Sequence, residues 1–241
     1  MDAKIGNIVV TPRNGKAIEI NALWYNALKI MESFANLYKE KELSKKYAEL
    51  AKKCKESFIK KFYNKKRKCF DDLVGDNSIR PNQLFAIGLH YPVVEPNSVE
   101  AKTAFETVTK KLLTPYGLKT LAKGEKCYRE IYEGDQIKRD MSYHQGITWP
   151  WLLGIYSDSF LNIISAEKNK TKKKELEEQY SKFAQNVEDT FYNEMYNRST
   201  VGSISELYDS AKPYEAKGAF AQAWSVAEVF RIIEKRNKWE S

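Results

Sequence analysis

The stretch that decides the fold is residues 18–39, IEINALWYNALKIMESFANLYK. It carries two rows of apolar side chains at helical spacing. The first row is Leu23, Ala27, Ile30, Phe34 and Leu37, and the second is Ile20, Trp24, Leu28, Met31, Ala35 and Tyr38. A surface helix carries one such row, because only one of its faces packs on a core. Two rows predict a helix that is buried on most of its circumference.

The next segment, Leu43–Phe62, has a single apolar row, and lysines fill most of its other positions. The row is Leu43, Tyr47, Leu50, Cys54, Phe58 and Phe62. This pattern is typical of an amphipathic helix on the outside of a protein. A buried helix followed by an outer one suggests two concentric layers.

The same contrast continues along the chain, in five further predicted helices. They are Asn82–Leu89, Asn97–Leu112, Thr148–Ile164, Lys174–Tyr196 and Gly218–Lys235. No run of alternating polarity is long enough to predict a sheet. With 42% hydrophobic residues the chain can bury one sizeable core. We therefore expect an all-α protein, folded as a single domain over residues 1–241, with about seven helices.

Long connections rich in Gly, Pro, Asp and aromatic residues separate these helices. They are Asp2–Lys16, Cys69–Arg80, Thr114–His144 and Asn197–Lys217. Loops of this length inside a compact domain are usually functional or disordered, and their aromatic content argues against disorder. If they gather at one end of a helical scaffold, they form a cleft suited to a polar ligand.

The net charge of +8 would permit binding to nucleic acid, but its distribution argues against such a partner. The lysines concentrate in Lys39–Lys68 and Lys168–Lys174, and acids interleave with the first cluster: Glu40, Glu42, Glu49 and Glu56. Mixed charge of this kind is typical of a solvated helix face. We predict no nucleic-acid partner.

No apolar run approaches the ~18 residues of a membrane span, and MDAKIGNIVV at the start lacks the order of a signal peptide. We expect neither membrane association nor export. The three cysteines, Cys54, Cys69 and Cys127, are widely spaced and fit neither a zinc pattern nor a disulfide framework. They are predicted to be free thiols in a reducing cytoplasm.

Metal and cofactor chemistry has little support in the sequence. Only two histidines are present, His90 and His144, and neither has a partner at ligand spacing. No cysteine lies beside a histidine, and the glycine-rich phosphate loops are absent. We predict no metal and no cofactor.

Residues 202–209, GSISELYD, place Glu206 in a turn-like stretch between two helical segments. One interpretation is a capping box, in which Ser203 and Glu206 satisfy each other's backbone donors at the start of a helix. The other is an inward carboxylate in a cleft. The long loops carry further acids among tyrosines and tryptophans: Asp2, Glu130, Glu133, Asp135, Asp140 and Asp209. Carboxylates among aromatics are typical of carbohydrate sites, and glycoside hydrolysis requires two carboxyl groups.

Four separated stretches, taken together, resemble a known family. They are MDAKIGNIVVTPRNGKAIEINALWYNAL (1–28), RPNQLFAIGLHYPVV (80–94), RDMSYHQGITWPWLLGIY (139–156), and GSISELYD with GAFAQAWSVAEVFR (202–209 and 218–231). They look like the carboxy-terminal glucosidase domain of glycogen debranching enzymes, the amylo-α-1,6-glucosidase part, and occur in its order. The resemblance implies an (α/α)6 barrel with its active site in the loops at one end. It also implies hydrolysis of the single α-1,6-linked glucose at a branch of glycogen or another branched α-glucan, with inversion.

The resemblance also implies roles for particular residues. Glu206 would be the general base that activates water, and Asp2 the general acid that protonates the leaving oxygen, roughly 6.5–9.5 Å apart. Residues of the matching motifs would bind the sugar: Arg13, Glu19, Asn21, Trp24, Arg80, Asn82, Gln83, Tyr143, His144, Gln145, Trp149, Trp151 and Tyr208. For His144, a structural hydrogen-bonding role is the alternative to direct contact with sugar.

The resemblance covers only the C-terminal part of the family's barrel. The first half would be missing, which would leave apolar surface of the inner helices uncovered. We therefore expect either a homo-oligomer or a partner chain that supplies the missing half barrel. Asp2 would lie at a chain terminus, where residues fray unless they are held. Two alternatives to this glucosidase remain open: a non-catalytic remnant or subunit that binds α-glucan, and an exo-acting, glucoamylase-like α-glucosidase.

Overall fold

The computed structural model describes residues 4–199 and 201–240, with the side chains of residues 239 and 240 excepted. These residues form eight α-helices and one 3-10 helix, Pro81–Leu84. The α-helices are α1 Ile18–Leu37, α2 Lys41–Phe62, α3 Phe85–Gly88, α4 Val99–Leu112, α5 Gln136–Tyr143, α6 Leu152–Ala166, α7 Lys170–Asn197 and α8 Ala223–Glu240. The predicted all-α class is confirmed.

Each of the seven predicted helices has a counterpart in the structure. Two of them begin at least four residues later than predicted. The helix predicted from Thr148 begins at Leu152, because Thr148–Trp149 pairs as a strand. The helix predicted from Gly218 begins at Ala223, after a glycine with a positive φ of 70°. The helix predicted at Asn82–Leu89 is divided into the 3-10 turn and α3. The eighth helix, α5, lies inside the predicted loop Thr114–His144.

The helices form two layers, as in proteins of the helical-barrel type. The helices α1, α3, α6 and α8 pack side by side in that order, and α2, α4 and α7 lie outside them. The inner helix α6 buries ten of its fifteen residues. The outer helix α2 buries only Ala51, Phe58 and Phe62 along its 22 residues. The predicted alternation of inner and outer helices therefore holds for these elements.

The helix α1 departs from its prediction. Its buried residues lie along one face: Ile18, Ala22, Tyr25, Leu28 and Ala35. The opposite face is open, with Trp24 56% and Phe34 52% exposed. The expectation that α1 is buried on most of its circumference was wrong, because no described element packs on its second face. We call this open surface, made by Ile20, Leu23, Trp24, Met31 and Phe34, the α1 apolar face.

Short strands join the long loops, a feature that the sequence did not predict. Five strands form one antiparallel sheet in chain order: β5 Leu113–Thr114, β6 Gly117–Lys119, β7 Thr148–Trp149, β8 Leu207–Tyr208 and β9 Ala216–Lys217. Two hairpins pair β1 Lys4–Ile5 with β2 Ile8–Val9, and β3 Tyr63–Asn64 with β4 Cys69–Phe70. Strands of two or three residues are too short to show alternating polarity.

This small sheet brings loops that are distant in sequence to the same place. At Gly117 the backbone has a φ of 147°, and a Cβ there would clash with the carbonyl of Trp149. A glycine is therefore required for β6 to lie against β7. The next pairing, of Thr148 with Tyr208, joins the segment that follows α5 to the loop that contains Glu206.

Membrane-crossing helices are absent from the described residues. None of their helices combines the length and the apolar character that a membrane span requires.

Candidate active site

Glu206 lies directly before β8 and is fixed through both its backbone and its side chain. Its N–H donates to the carbonyl of Ala219 at 2.8 Å, and the N–H of Ala219 donates to its Oε2 at 3.0 Å. No helix follows Glu206 within 201–222, since β8 begins at the next residue. The capping-box interpretation is therefore wrong, and the carboxylate belongs to a strand edge.

The second oxygen of this carboxylate meets a tyrosine. The hydroxyl of Tyr143, at the C-terminal end of α5, donates to Oε1 of Glu206. Burial of the phenol and the hydrogen bond to Glu206 raise the pKa of Tyr143 well above its usual value. The ring contacts Trp149 edge-on, with 4.8 Å between centroids, and the indole N–H of Trp149 donates to the carbonyl of Tyr143 at 3.1 Å.

Glu206 and Tyr143 face an open cleft of about 830 Å³. Its lining includes acids, bases and a second tyrosine: Tyr132, Glu133, Arg139, Asp140 and Lys217. The backbone N–H of Tyr132 donates to the buried carboxylate of Asp209 at 2.7 Å, which holds this segment at the cleft. A cleft with tyrosine rings and many polar groups matches the two kinds of surface on a sugar: an apolar ring face and a rim of hydroxyls.

A smaller cavity of about 60 Å³ contains residues from two of the predicted binding motifs. It is lined by Pro81, Asn82, Thr120, His144, Trp149, Trp151 and Leu152. His144 stacks on Trp149 at 5.2 Å, and Trp151 stacks on Trp224 of α8 at 5.4 Å. The motif around residue 144 thus supplies aromatic rings to this cavity as well as Tyr143 to the cleft.

Two predicted residues of the first motif, Arg13 and Glu19, form an ion cluster with Asp72, a residue that the sequence did not single out. Arg13 binds Asp72 through Nε at 2.7 Å and Glu19 through Nη1 at 2.5 Å. The amide of Asn82 donates to Asp72 at 2.8 Å. Burial tends to lower the pKa of Arg13, but its hydrogen bonds to the two carboxylates outweigh burial and raise that pKa overall.

Asp72 lies only 2% exposed in the centre of this cluster. Burial raises the pKa of the Asp72 carboxyl, while the guanidinium of Arg13 acts in the opposite direction. Asp72 could not be predicted from the sequence, because one acid in a long loop looks like any other. Asp72 and Arg13 are 59 residues apart in the chain, so their contact cannot be inferred without the fold.

Three predicted binding residues use their side chains inside the protein. Arg80 donates to the carbonyls of Thr120 and His144, at 3.0 and 2.7 Å, and to Oε1 of Gln145 at 2.9 Å. Burial lowers the pKa of Arg80. Gln145 in turn donates to the carbonyl of Val10 at 2.9 Å. The third is Gln83, which is 1% exposed, accepts from the N–H of Phe70 and donates to the carbonyl of Arg80.

Three further predicted binding residues do not line the cleft: Asn21, Trp24 and Tyr208. Asn21 donates to the carbonyl of Ala17 at 2.7 Å, and Trp24 lies on the α1 apolar face. Tyr208 is fully buried and stacks on Tyr116 at 4.6 Å. Asp2, the predicted general acid, lies outside the described residues.

Other acids of the long loops take different positions. Glu133 and Asp140 line the cleft with Glu206. Asp135 accepts from the N–H of Lys138 and so caps α5, and Glu130 pairs with Lys123 at 3.1 Å. Across residues 4–199 and 201–240 no three His, Cys, Asp or Glu side chains gather in a group able to hold a metal ion.

Comparison with known families places this chain among the glycoside hydrolases. The family model described as "Amylo-alpha-1,6-glucosidase" matches residues 1–231. Because this match covers nearly the whole sequence, the chain belongs to the amylo-alpha-1,6-glucosidase family.

The chain is also similar to one curated protein in sequence and to one solved structure in fold. It is 26% identical to the glycogen debranching enzyme of Saccharomyces cerevisiae over a match of 200 residues, and the match covers 65% of this chain and 13% of that protein. The chain therefore corresponds to a small part of the curated relative. A solved structure titled "Sialidase" matches 96% of this chain and 20% of its own, with a TM-score of 0.68 and 16% identity. At that identity the likeness concerns the fold alone.

Proposed function

We propose that this chain hydrolyses the single α-1,6-linked glucose at a branch point of glycogen or a similar α-glucan and releases free glucose with inversion. Membership of the family supports the substrate class. The observation that carries the proposal is Glu206, a carboxylate held by backbone and tyrosine donors at the wall of an open cleft. A water molecule in that cleft would lie within reach of the carboxylate.

In this mechanism Glu206 acts as the general base and removes a proton from the attacking water. Asp2 acts as the general acid and protonates the 6-oxygen that leaves. Inversion requires room for the water, so the two carboxyl groups should stand roughly 6.5–9.5 Å apart. The negative charge of the base and the protonated state of the acid must coexist, which requires different surroundings for the two groups.

The predicted binding residues divide into two groups in this proposal. Asn82, His144, Trp149 and Trp151, which line the small cavity, would contact the glucose. Tyr143 lies at the edge of the cleft, where its hydroxyl donates to Glu206. Arg13, Glu19, Arg80, Gln83 and Gln145 would act indirectly, because their side chains bind other parts of the protein and hold the loops in place.

The proposed active form is an assembly in a reducing cytoplasm, where Cys54, Cys69 and Cys127 remain thiols as in the structure. The α1 apolar face would be covered by a second copy or by a partner chain, since monomers rarely leave such a surface open.

The direct test is glucose release from a branched dextrin that carries single α-1,6-glucosyl stubs. The native chain should release glucose, first as the β-anomer, and Glu206→Gln should reduce release at least about a hundredfold, the usual contribution of a general base. Glu130→Gln serves as the matched control, because it removes a loop carboxylate that does not line the cleft.

The outcomes separate this proposal from its alternatives. Release from α-1,4-linked maltotriose in preference to the stubs would indicate an exo-acting, glucoamylase-like enzyme. Binding of the dextrin without any release, by folded protein in its assembled form, would indicate a glucan-binding subunit and would contradict the proposed hydrolysis.

A further inference from the structure

We propose that Tyr143 is a positioning residue for Glu206: its hydroxyl orients the carboxylate for its work as a base, rather than binding the sugar. This proposal rests on the proposed function for its catalytic meaning, while the contact itself stands on the geometry. The hydroxyl of Tyr143 donates to Oε1 of Glu206, 63 residues further along the chain.

The position of the tyrosine ring is fixed from several sides. The ring lies edge-on to Trp149 at 4.8 Å and to His144 at 4.6 Å, and it packs against Tyr132 at 5.8 Å. The indole N–H of Trp149 donates a hydrogen bond to the backbone carbonyl of Tyr143. Because the ring is fixed, its hydroxyl has a single position. A fixed hydroxyl can orient the carboxylate of Glu206.

The carboxylate is fixed from its other side by the backbone. The N–H of Ala219 donates to Oε2, and the preceding residue, Gly218, has a φ of 70°. A Cβ at Gly218 would clash with Oε2 of Glu206. Each carboxylate oxygen therefore has one donor, which sets the plane of the group, and each oxygen keeps a lone pair for another partner.

Both donors are neutral, unlike the donor that binds Glu19 and Asp72. Glu19 and Asp72 are bound by the cationic guanidinium of Arg13 at 2.5 and 2.7 Å. A cation strongly favours the ionised carboxylate and so reduces its tendency to accept a proton, whereas neutral donors do so less. Neutral donors therefore orient Glu206 and leave it able to act as a base.

The tyrosine remains a donor over the whole neutral range. Its raised pKa follows from burial and from the hydrogen bond to Glu206, so the phenol keeps its proton. The other titratable and charged groups that line this cleft are Tyr132, Glu133, Arg139, Asp140 and Lys217. Among them, Tyr132 and Asp140 also raise the pKa of Tyr143.

The kinetic test compares Tyr143→Phe with the native chain on the stubbed dextrin. A positioning role predicts that kcat falls at least about tenfold while KM stays within about twofold, because sugar binding is untouched. The acid limb of the pH profile of kcat/KM should move to higher pH, since the ionised base loses a donor. A rise in KM with an unchanged kcat would overturn the proposal in favour of direct sugar contact.

The matched control is Tyr156→Phe. Tyr156 lies on α6, away from the cleft, and its hydroxyl forms a 3.0 Å hydrogen bond to Thr109. The substitution removes this hydroxyl. We expect its kcat and KM to match the native values. An equal fall of kcat in both variants would assign the effect to general loosening of the protein and would also overturn the proposal.

A second measurement does not depend on activity. Tyrosine ionisation is followed by ultraviolet absorbance in native, Glu206→Gln, Tyr143→Phe and doubly substituted chains. Loss of the Glu206 charge should lower the pKa of Tyr143 and, through charge alone, that of Tyr132. The double variant, which lacks Tyr143, should lose the first of these two changes. If the native chain released no glucose, the proposed function would fail. The titration would still show whether Tyr143 and Glu206 are in contact. No change between native and Glu206→Gln chains would overturn the contact.

Discussion

At the scale of single residues, what distinguishes the carboxylates is the group that holds them. Asp72 and Glu19 neutralise Arg13 and join the loop Cys69–Arg80 to the start of α1. Buried ion pairs of this kind hold loops in register, and removal of one partner leaves an uncompensated charge. Among the residues that the structure describes, Glu206 accepts hydrogen bonds from a phenol and a backbone N–H, at the edge of a cleft. The protein thus buries one set of carboxylates in ion pairs and places another carboxylate at the wall of a cleft.

We expect Gly218→Ala to abolish most of the glucose release, because a Cβ there would displace the Glu206 carboxylate. Gly202→Ala is the matched control. Gly202 has a similar φ of 76°, but a Cβ at this position would have no heavy atom within 4 Å. Both variants should therefore carry a similar backbone cost of about 1 kcal/mol in the free energy of unfolding. Chemical denaturation and glucose release measure the two effects, and equal activities would contradict the prediction.

Cys69 predicts a pH dependence of stability. Its thiol is buried in β4, and burial raises its pKa from 9.0 to about 11. The unfolded chain therefore loses the proton at a lower pH than the folded chain does. The stabilising contribution is complete below pH 9 and is lost as the pH rises towards about 11. Urea unfolding at pH 8 and pH 11 should show a smaller loss of stability in Cys69→Ala than in the native chain, and equal losses would refute this assignment.

At the scale of elements, the helices were predictable and the strands were not. The helix α6 buries residues around much of its circumference, so its apolar pattern is strong. The helix α5 spans only eight residues, and its apolar side chains Ile137 and Met141 are 54% and 38% exposed. No row of core positions marks it in the sequence. The strands β7 and β8 have two residues each, so tertiary pairing defines them, not local pattern.

The candidate site was predictable in its parts but not in its contacts. Glu206 and Tyr143 both follow from motifs that resemble the family. Their hydrogen bond joins an element that was not predicted, α5, to the edge of a strand that was not predicted, β8. The ion cluster around Asp72 likewise depends on contacts between distant segments, since its members come from two loops and the start of α1. Long-range contacts of this kind depend on how loops meet, which one sequence does not encode locally.

The helix α5 should depend on its N-cap. Asp135 accepts from the N–H of Lys138, and α5 ends at Tyr143. We expect Asp135→Ala to cost about 1 kcal/mol and to speed hydrogen exchange along α5. Ser98→Ala removes a cap of the same kind from α4, away from the cleft. It should cost about as much in stability without affecting exchange in α5. Unchanged exchange in α5 after Asp135→Ala would show that tertiary contacts alone hold the helix.

At the scale of the whole molecule, the α1 apolar face is the largest departure from an ordinary soluble surface. Trp24, Met31 and Phe34 lie exposed on an inner helix, and Phe230 of α8 is 59% exposed on another. Surfaces of this kind mark protein interfaces. The two inner helices at the ends of the row, α1 and α8, both carry such residues.

We therefore predict that the isolated chain associates through the α1 apolar face. Sedimentation velocity should show species larger than the 28.0 kDa monomer at micromolar concentration. Phe34→Glu should shift the distribution towards the monomer, because a charge would be buried at the contact. Val99→Glu, which changes an exposed apolar residue on the outer helix α4, should leave the distribution unchanged. A native chain that sediments as a monomer would refute self-association.

The small sheet has a consequence for the order of events in folding. The contact between α1 and α2 joins neighbours in the chain, whereas the pairing of Thr148 with Tyr208 closes a loop of many residues. Loop-closure entropy must be overcome before distant contacts form, so local helix pairs gain structure early and the sheet gains it late. Glu206 and Tyr143 come together only at that late step. During refolding, recovery of helical signal should therefore precede recovery of the cleft, and a chain can regain its helices before Glu206 and Tyr143 meet.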